Sequence, residues 1–304
     1  MYEPTPPCPA PVLRLDTQKI EAFEYLISQV RRLGRAAFID YNIAYPKYEF
    51  LRYLVDRKQI LLHGSNNADL KVLLPMSPTL SVDSNVGLSR DRGAARNNQS
   101  VFASAEVILP MFFAILDRVN YEVSTSIWAY RLSDAAGLAS IHYSLSINEE
   151  VLKSRPFRRG TIYLLPKHKF TPVAEGNGII LEEWISQEPV QVLAKLSISP
   201  EDFPLLNAIS GHNESEVASL TESMKTCLGA VEEWDELPNG YCFKFPGGDE
   251  WASRLAELCS QQQKFCPLLD FALTRDSSNA PIYLKATGPD GARQLIGSIL
   301  GMYR

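Results

Sequence analysis

The chain has 304 residues, of which 45% are apolar and 21% are charged, a composition typical of a globular protein with a substantial core. Its net charge of −5 argues against general nucleic-acid binding, because proteins of that class carry a basic surplus. No apolar run approaches the roughly 20 residues that a membrane helix needs. The chain starts without a signal-peptide pattern and its five cysteines form no CxxC pair, so we expect a cytoplasmic protein with reduced thiols and no membrane partner.

The chain opens with four segments of different pattern. A proline-rich stretch predicts a flexible arm, two stretches with apolar residues at helical spacing predict helices, and a short apolar run predicts a buried strand. In chain order they cover residues 1–15, 16–35, 46–58 and 59–62. The strand is followed directly by His63, Gly64 and Ser65, which places a histidine at the exit of a buried element.

A long polar segment and an apolar helix come next. Residues 66–100 have few periodic apolar positions and predict a long loop, which in a compact domain is often a lid or a binding loop. A short strand at 100–104 leads into an apolar helix at 105–118. Pro110 predicts either a kink in that helix or a helix that starts near this residue, because proline lacks the N–H that a helix interior uses.

The following part of the chain predicts a sheet. β-branched and aromatic residues alternate with polar ones over residues 122–198, so we expect a curved antiparallel sheet interrupted by one short helix. Residues 199–209 predict a further helix. The polar stretch at 210–219 indicates a linker or a helix start, and we therefore expect one domain over residues 16–210 and a second over residues 220–304.

The second domain is predicted to be a small ββαββα sandwich. Asn239 and Gly240 between two strand-like runs are a strong hairpin signal, and residues 248–265 have the apolar spacing of an amphipathic helix. A second hairpin and a closing helix follow. The complete pattern predicts the α+β class, with N-terminal helices flanking a curved antiparallel sheet and a small α+β domain at the C-terminal end.

Four motifs carry a resemblance to a known family. They are "LLHGS", "VFAS", "GTIYLLP" and "QEPVQVL", at residues 61–65, 101–104, 160–166 and 187–193. In order and spacing they resemble the small bacterial ADP-ribosyltransferases, and the motif order is closest to that of the rifampin ADP-ribosyltransferases. The resemblance covers residues 59–198, and it implies a split, curved sheet that clamps NAD, the substrate, in a bent conformation.

The resemblance also implies which residues surround NAD. His63 would bind the adenosine ribose through a hydrogen bond. Phe102 would stack on the nicotinamide, although the family usually has tyrosine there, so stacking is kept and the phenolic hydrogen bond is lost. The cofactor-binding residues that we expect are His63, Gly64, Ser65, Phe102, Ser104 and Tyr163.

The family uses, in addition, an acidic residue that stabilises the oxocarbenium ion formed as nicotinamide leaves. Glu175 lies past the "GTIYLLP" strand at a suitable distance, and we expect it to be the catalytic residue. Glu182, Glu183 and Glu188 are rivals for this role, and a glutamate at the end of a strand is usually a solvated surface charge.

Three functional hypotheses follow. The first is an enzyme that transfers ADP-ribose from NAD to an unknown acceptor. The second keeps the fold but not the chemistry, so that the protein works as a binding or scaffolding unit; the missing tyrosine and the unplaced acid favour it. The third is RNA 2′-phosphate transfer to NAD by a related fold, which requires several Arg and His residues converging on phosphates.

Two basic clusters have both a functional and a plain interpretation. They comprise Arg90, Arg92 and Arg96 in the long loop, and Lys153, Arg155, Arg158 and Arg159 before the "GTIYLLP" strand. Guanidinium groups suit phosphate oxygens, but a solvated charged turn is the commoner reason for such a run. The cysteines and histidines lack metal-ligand spacing, so we expect no metal site.

The segment at 265–296 resembles a small bacterial α+β module of unknown activity, whose usual pattern contains a vicinal cysteine pair. Here Phe265 takes the place of the first cysteine and Cys266 alone remains. Cys259 lies seven residues earlier on the predicted helix, where a buried structural thiol is the plain expectation. We therefore expect a packing and interaction domain rather than a site for soft metals.

Overall fold

The structure is a computed structural model that describes residues 7–76, 99–133, 139–173, 183–266, 268–289 and 292–303. It combines helices with antiparallel and mixed sheets, so the predicted α+β class is confirmed. The buried apolar side chains form two clusters, one drawn from residues 23–209 and the other from residues 220–296.

Most of the predicted helices are present in the structure. Asp16 caps the first, because its carboxylate accepts a hydrogen bond from the Lys19 N–H at 2.8 Å. Pro110 is the third residue of its helix, where the missing N–H has no helical partner to lose. The helices are α1 (Thr17–Leu33), α2 (Lys47–Lys58), α3 (Ile108–Ile115), α4 (Glu149–Lys153), α5 (Glu214–Gly229), α6 (Asp249–Phe265) and α7 (Ala292–Tyr303).

The strands of the described residues are β1 (Cys8–Pro9), β2 (Ala37–Phe38), β3 (Ile60–Ser65), β4 (Val72–Leu73), β5 (Val101–Ser104), β6 (Thr125–Ser133), β7 (Ala139–Asn148), β8 (Gly160–Pro166), β9 (Thr171–Pro172), β10 (Glu183–Ser186), β11 (Val190–Gln191), β12 (Ala194–Ile198), β13 (Ser210–His212), β14 (Glu233–Leu237), β15 (Gly240–Phe245), β16 (Asp270–Thr274) and β17 (Ile282–Thr287). They form two larger sheets and the small pair β4-β11 in the first part of the chain, and one sheet in the last part.

The largest sheet has the strand order β2-β12-β8-β3-β5-β10-β9. Its neighbours run antiparallel, except for the parallel pair β2 and β12. β3 pairs with β8 along its whole length, whereas its pairing with β5 is confined to Leu62 opposite Ser104. β3 and β5 therefore share one paired position, and the split sheet that the resemblance implies stays a prediction.

The expectation of one sheet over residues 122–198 is wrong. The hairpin β6-β7 leaves the large sheet and forms a separate one, in which β7 pairs with β1 and, in parallel, with β13. Alternation along a strand shows that it is a strand but not which strand it joins. The described end of the proline-rich arm is bonded to this sheet, because the Ala10 N–H donates to the Ile141 carbonyl at 2.9 Å.

The helix predicted over residues 199–209 is also wrong. Two 3-10 turns, Pro200–Asp202 and Leu206–Ala208, take its place. Pro204 explains the interruption, since it lacks an N–H and disfavours the helical conformation in the residue before it. The predicted cap is nevertheless present, because Ser199 and Asp202 form a capping box. The Asp202 carboxylate accepts hydrogen bonds from the N–H and the hydroxyl of Ser199.

Helix α3 crosses the large sheet at unusually short range. A Cβ added at Gly64 on β3 would lie 1.9 Å from the Pro110 carbonyl oxygen, and one added at Gly160 on β8 would lie 1.8 Å from that of Ala114. Neither distance is possible for real atoms, so both positions require glycine. Seven of the eight residues of α3 are buried, and the sheet face beneath it is apolar.

The last part of the chain is the predicted ββαββα unit, with α5 before it. Its sheet has the order β14-β15-β17-β16, and the first hairpin turns at the predicted position, where Leu237 pairs with Gly240. Alternate residues of β15 and β17 point to one face and are buried among apolar side chains of α6 and α7. The helices therefore cover one face of the sheet, as expected for this class.

Replacing Gly64 or Gly160 with alanine should destabilise the protein, because the new methyl group meets a backbone carbonyl that cannot rotate away. Overpacking a core costs about 1–3 kcal/mol, and we expect the upper end of that range here. Gly229→Ala is the matched control: it lies at the end of α5 with nothing within 4 Å of the added Cβ. Urea unfolding measures all three, and a Gly64→Ala midpoint equal to that of Gly229→Ala would contradict the close crossing.

Candidate functional site

Two strands that carry sequence motifs, β3 and β5, lie beside β10 in the large sheet, while the strand of the fourth motif, β11, pairs with β4 instead. β5 pairs with β3 on one side and with β10 on the other. Leu62, Ser104 and Glu183 form a row across the three strands, and His63 follows Leu62 directly. The candidate site is therefore the place where β3 and β5 separate, with His63 at its edge.

His63 is held in one orientation by a backbone group. Its Nδ1 lies 2.8 Å from the Phe102 carbonyl oxygen, an atom that only accepts hydrogen bonds, so Nδ1 carries the proton. Burial lowers the pKa of His63, and the bond to the Phe102 carbonyl offsets this in part. The ring is therefore neutral and Nε2 is an acceptor. Nε2 has no hydrogen-bond partner among the described residues.

The two residues after His63 serve the fold. A side chain at position 64 would point into the backbone of α3, so close packing alone explains why glycine is required there. The Ser65 hydroxyl accepts a hydrogen bond from the Asn67 N–H at 3.1 Å. Ser104, expected in the same set, is buried and accepts from the Glu106 N–H at 2.9 Å. The cofactor roles of these three residues stay predictions.

Tyr163 lies directly opposite His63 on β8, and the two ring centroids are 6.2 Å apart. Its side chain is fully buried, and its hydroxyl donates to the Asn67 carbonyl and accepts from the Leu70 N–H at 3.4 Å. Tyr163 thus ties the segment of residues 66–71 across this face of the sheet.

Phe102 is half-buried on β5, opposite Ile185 of β10. The structure shows a backbone role that was not expected for Phe102: its carbonyl orients the ring of His63. The stacking role of its ring stays a prediction.

Two of the four candidate catalytic glutamates lie among the described residues. Glu175, the expected catalytic residue, and Glu182 lie outside the described residues. Glu183 is half-buried at the start of β10, opposite Ser104, and its carbonyl accepts from the Val173 N–H at 2.8 Å. Glu188 is exposed in the turn after β10. Of the described candidates, Glu183 alone sits on the strand next to β5.

Sequence reasoning missed one buried carboxylate, Glu106, which is 1% exposed. Its Oε2 accepts from the N–H groups of Ile108 and Leu109, at 2.6 and 3.4 Å, and so caps α3. Burial raises the pKa of Glu106, while the Tyr143 hydroxyl and the helix N–H groups counter that shift. A serine and a glutamate two residues apart before an apolar helix were the available signal. The role is to cap α3.

The structure gives no functional role to Lys153, to the arginines of the long loop or to the cysteines. Lys153, the last residue of α4, pairs with Glu149 and Glu150 on the exposed side of that helix. The three arginines of the long loop lie outside the described residues. Burial raises the pKa of the Cys259 and Cys266 thiols to about 11 each, so these thiols are protonated at neutral pH.

Two searches of the described part of the chain were negative. No group of three His, Cys, Asp or Glu side chains there is placed to hold a metal ion. None of its helices has the length and apolar character to cross a membrane.

No family model, curated protein or solved structure matches the chain. The likeness to ADP-ribosyltransferases thus depends on the motifs and their order, and it stays a prediction about family.

His63 should titrate below 6.5, its ordinary value, because burial disfavours the charged ring. NMR of the imidazole nitrogens should show a neutral ring with the proton on Nδ1, and His63→Asn assigns the signal. A ring that titrates at or above 6.5 would contradict this geometry.

The same shift makes stability depend on pH. The unfolded chain binds a proton near pH 6.5 while the folded chain does not, so this contribution is complete above about pH 6.5 and is lost as the pH falls toward the folded pKa. His212, whose pKa is also lowered by burial, adds to the loss. His63→Asn should therefore show a shallower fall of unfolding free energy below pH 6.5 than the native chain.

Proposed function

We propose that residues 16–210 bind NAD where β3, β5 and β10 adjoin and transfer its ADP-ribose group to an acceptor that is not identified. The observation that carries the proposal is the adjacency of β3 and β5, which carry two of the motifs, and of β10, which carries Glu183. They are far apart along the chain, yet they lie side by side in the order histidine strand, aromatic strand, acidic strand.

The state of His63 supports the proposed binding role. A neutral ring whose Nδ1 is fixed by a carbonyl presents Nε2 as an acceptor, and a ribose hydroxyl is a donor of the matching kind. Phe102, on the adjacent strand, supplies an aromatic ring for the nicotinamide.

The transfer requires stabilisation of the positive charge that develops on the ribose. As the bond between C1′ of the ribose and the nicotinamide nitrogen breaks, its electron pair leaves with nicotinamide and the ribose becomes an oxocarbenium ion. The acceptor then bonds to C1′ and loses a proton. We assign the stabilising carboxylate to Glu183 among the described residues, because of its place on β10; Glu175 remains the expectation from the sequence.

A second candidate function is binding without transfer. The segment of residues 66–71 is fastened over the sheet face beside His63, by Tyr163 to the Asn67 carbonyl and by Lys195 Nζ to the Ala68 carbonyl at 2.9 Å. A segment held in one conformation can present a fixed surface for recognition. In addition, Phe102 lacks the hydroxyl that the family usually has at this position.

Isothermal titration calorimetry should show that NAD binds the native chain and that His63→Ala weakens binding about tenfold or more, because a ligand hydroxyl loses its partner inside a desolvated site. His168→Ala, in an exposed turn, is the control and should bind as the native chain does. Absence of NAD binding to folded native protein would overturn the proposal.

Nicotinamide release from NAD separates the two candidate functions. Glu183→Gln should lower the rate by about 10²-fold or more if its charge stabilises the oxocarbenium ion, while Glu188→Gln, in the exposed turn, should keep the native rate. Binding of NAD without release by the native chain would favour the binding function. Full activity of Glu183→Gln would return the acid role to Glu175.

A further inference from the structure

A cleft of about 460 Å³ lies at the start of β8, next to the end of β3 and to β12. Its volume is in the range that holds a small-molecule ligand. Phe38, Asn66, Arg158, Arg159, Thr161 and Ser197 line it. Thr161 stands between Ser65 and Ser197 in the ladder, so a row of three hydroxyl residues crosses the sheet here.

Several polar groups of the cleft have unused hydrogen-bonding capacity, whereas the Asn66 amide already bonds the Ala114 carbonyl and the Arg118 N–H. The Thr161 and Ser197 hydroxyls make no hydrogen bond with another described residue. Arg159 is exposed and has no ion-pair partner in the described part of the chain. Arg158 shares one contact, 3.4 Å long, with Asp117.

A buried cation lies just behind this lining. Lys195 is 7% exposed, and its Nζ donates to the Ala68 carbonyl and sits 4.5 Å from the centroid of the Phe38 ring. It forms no ion pair with a described carboxylate. A buried ammonium without a counter-charge is costly, and an anion in the cleft would offset that cost. Three cations, Arg158, Arg159 and Lys195, therefore lie in or beside the lining of the cleft.

Phe38 makes the cleft more than an anion site. It is 42% exposed although it is a large aromatic residue, and its ring forms part of the wall. Exposed aromatic rings beside basic groups are the usual platform on which planar rings of phosphorylated ligands stack.

We propose that this cleft binds a small phosphate monoester that carries a planar ring, a nucleoside monophosphate being the simplest example. The Arg159 guanidinium pairs with two phosphate oxygens, the Thr161 and Ser197 hydroxyls donate to the phosphate, and the ring of the ligand stacks on Phe38. The site goes beyond the proposed NAD function, since His63 is not among the residues that line it.

Calorimetry at low salt with guanosine 5′-monophosphate, ribose 5-phosphate and inorganic phosphate tests the proposal on the full chain. The first ligand should bind at least tenfold more tightly than the other two. Arg159→Ala should weaken all three about tenfold or more, and Phe38→Leu should weaken only guanosine 5′-monophosphate. Both positions are exposed, and circular dichroism verifies that the variants are folded.

Two control variants separate this site from other effects. Arg155→Ala removes the same charge from the same exposed turn outside the cleft and should change affinity less than twofold. His63→Ala should also leave it unchanged, so failure of the NAD proposal and failure of this one are distinguishable. No binding by folded native protein, or equal binding by the native chain and Arg159→Ala, overturns the site. Equal binding of guanosine 5′-monophosphate and ribose 5-phosphate overturns the planar ring.

Discussion

The close crossing of α3 over β3 and β8 is the contact on which the rest of the first unit depends. Gly64 and Gly160 let the helix backbone approach the sheet to a distance that no side chain would allow. The helix can then bury nearly all of its apolar surface, at about 1.5–3 kcal/mol for each large side chain. Because the approach is backbone to backbone, it positions β3 and β8 as a rigid pair. His63, Tyr163 and the cleft at the start of β8 are carried by that pair.

The crossing also distinguishes the two faces of the sheet. Residues on β3 and β8 alternate, so the face that includes Gly64 and Ile162 is apolar beneath α3, and the other face presents His63, Tyr163 and Thr161. This second face also carries the fully buried Leu61 and Leu165, and the segment of residues 66–71 is tied across part of it by Tyr163 and Lys195. The proposed phosphate-monoester site uses this second face at the start of β8, and His63 presents its ring on the same face.

Local patterns predicted the elements well and their assembly less well. The helices α1 and α2, the strand β5 and the hairpin at Asn239 depend on neighbours within a few residues, and all were predicted. The strands of residues 122–198 were recognised as strands but assigned to one sheet, whereas distant segments, β1 and β13, decide where β7 belongs. The motif order indicated His63, yet Glu106 was missed, because its burial results from the packing of α3 and is not visible in the residue type.

The sequence by itself determined the class of most elements, the α+β class, and the presence of a histidine at the exit of a buried strand, since these follow from apolar periodicity and from local turn and cap chemistry. Only the tertiary structure decided that Gly64 must be glycine because a carbonyl of α3 lies against it. It also decided that the Phe102 carbonyl orients His63, and that Arg159, Thr161 and Phe38 line one cleft. These relations join residues up to about 120 positions apart, and strand pairing and packing, not local preference, bring such residues together.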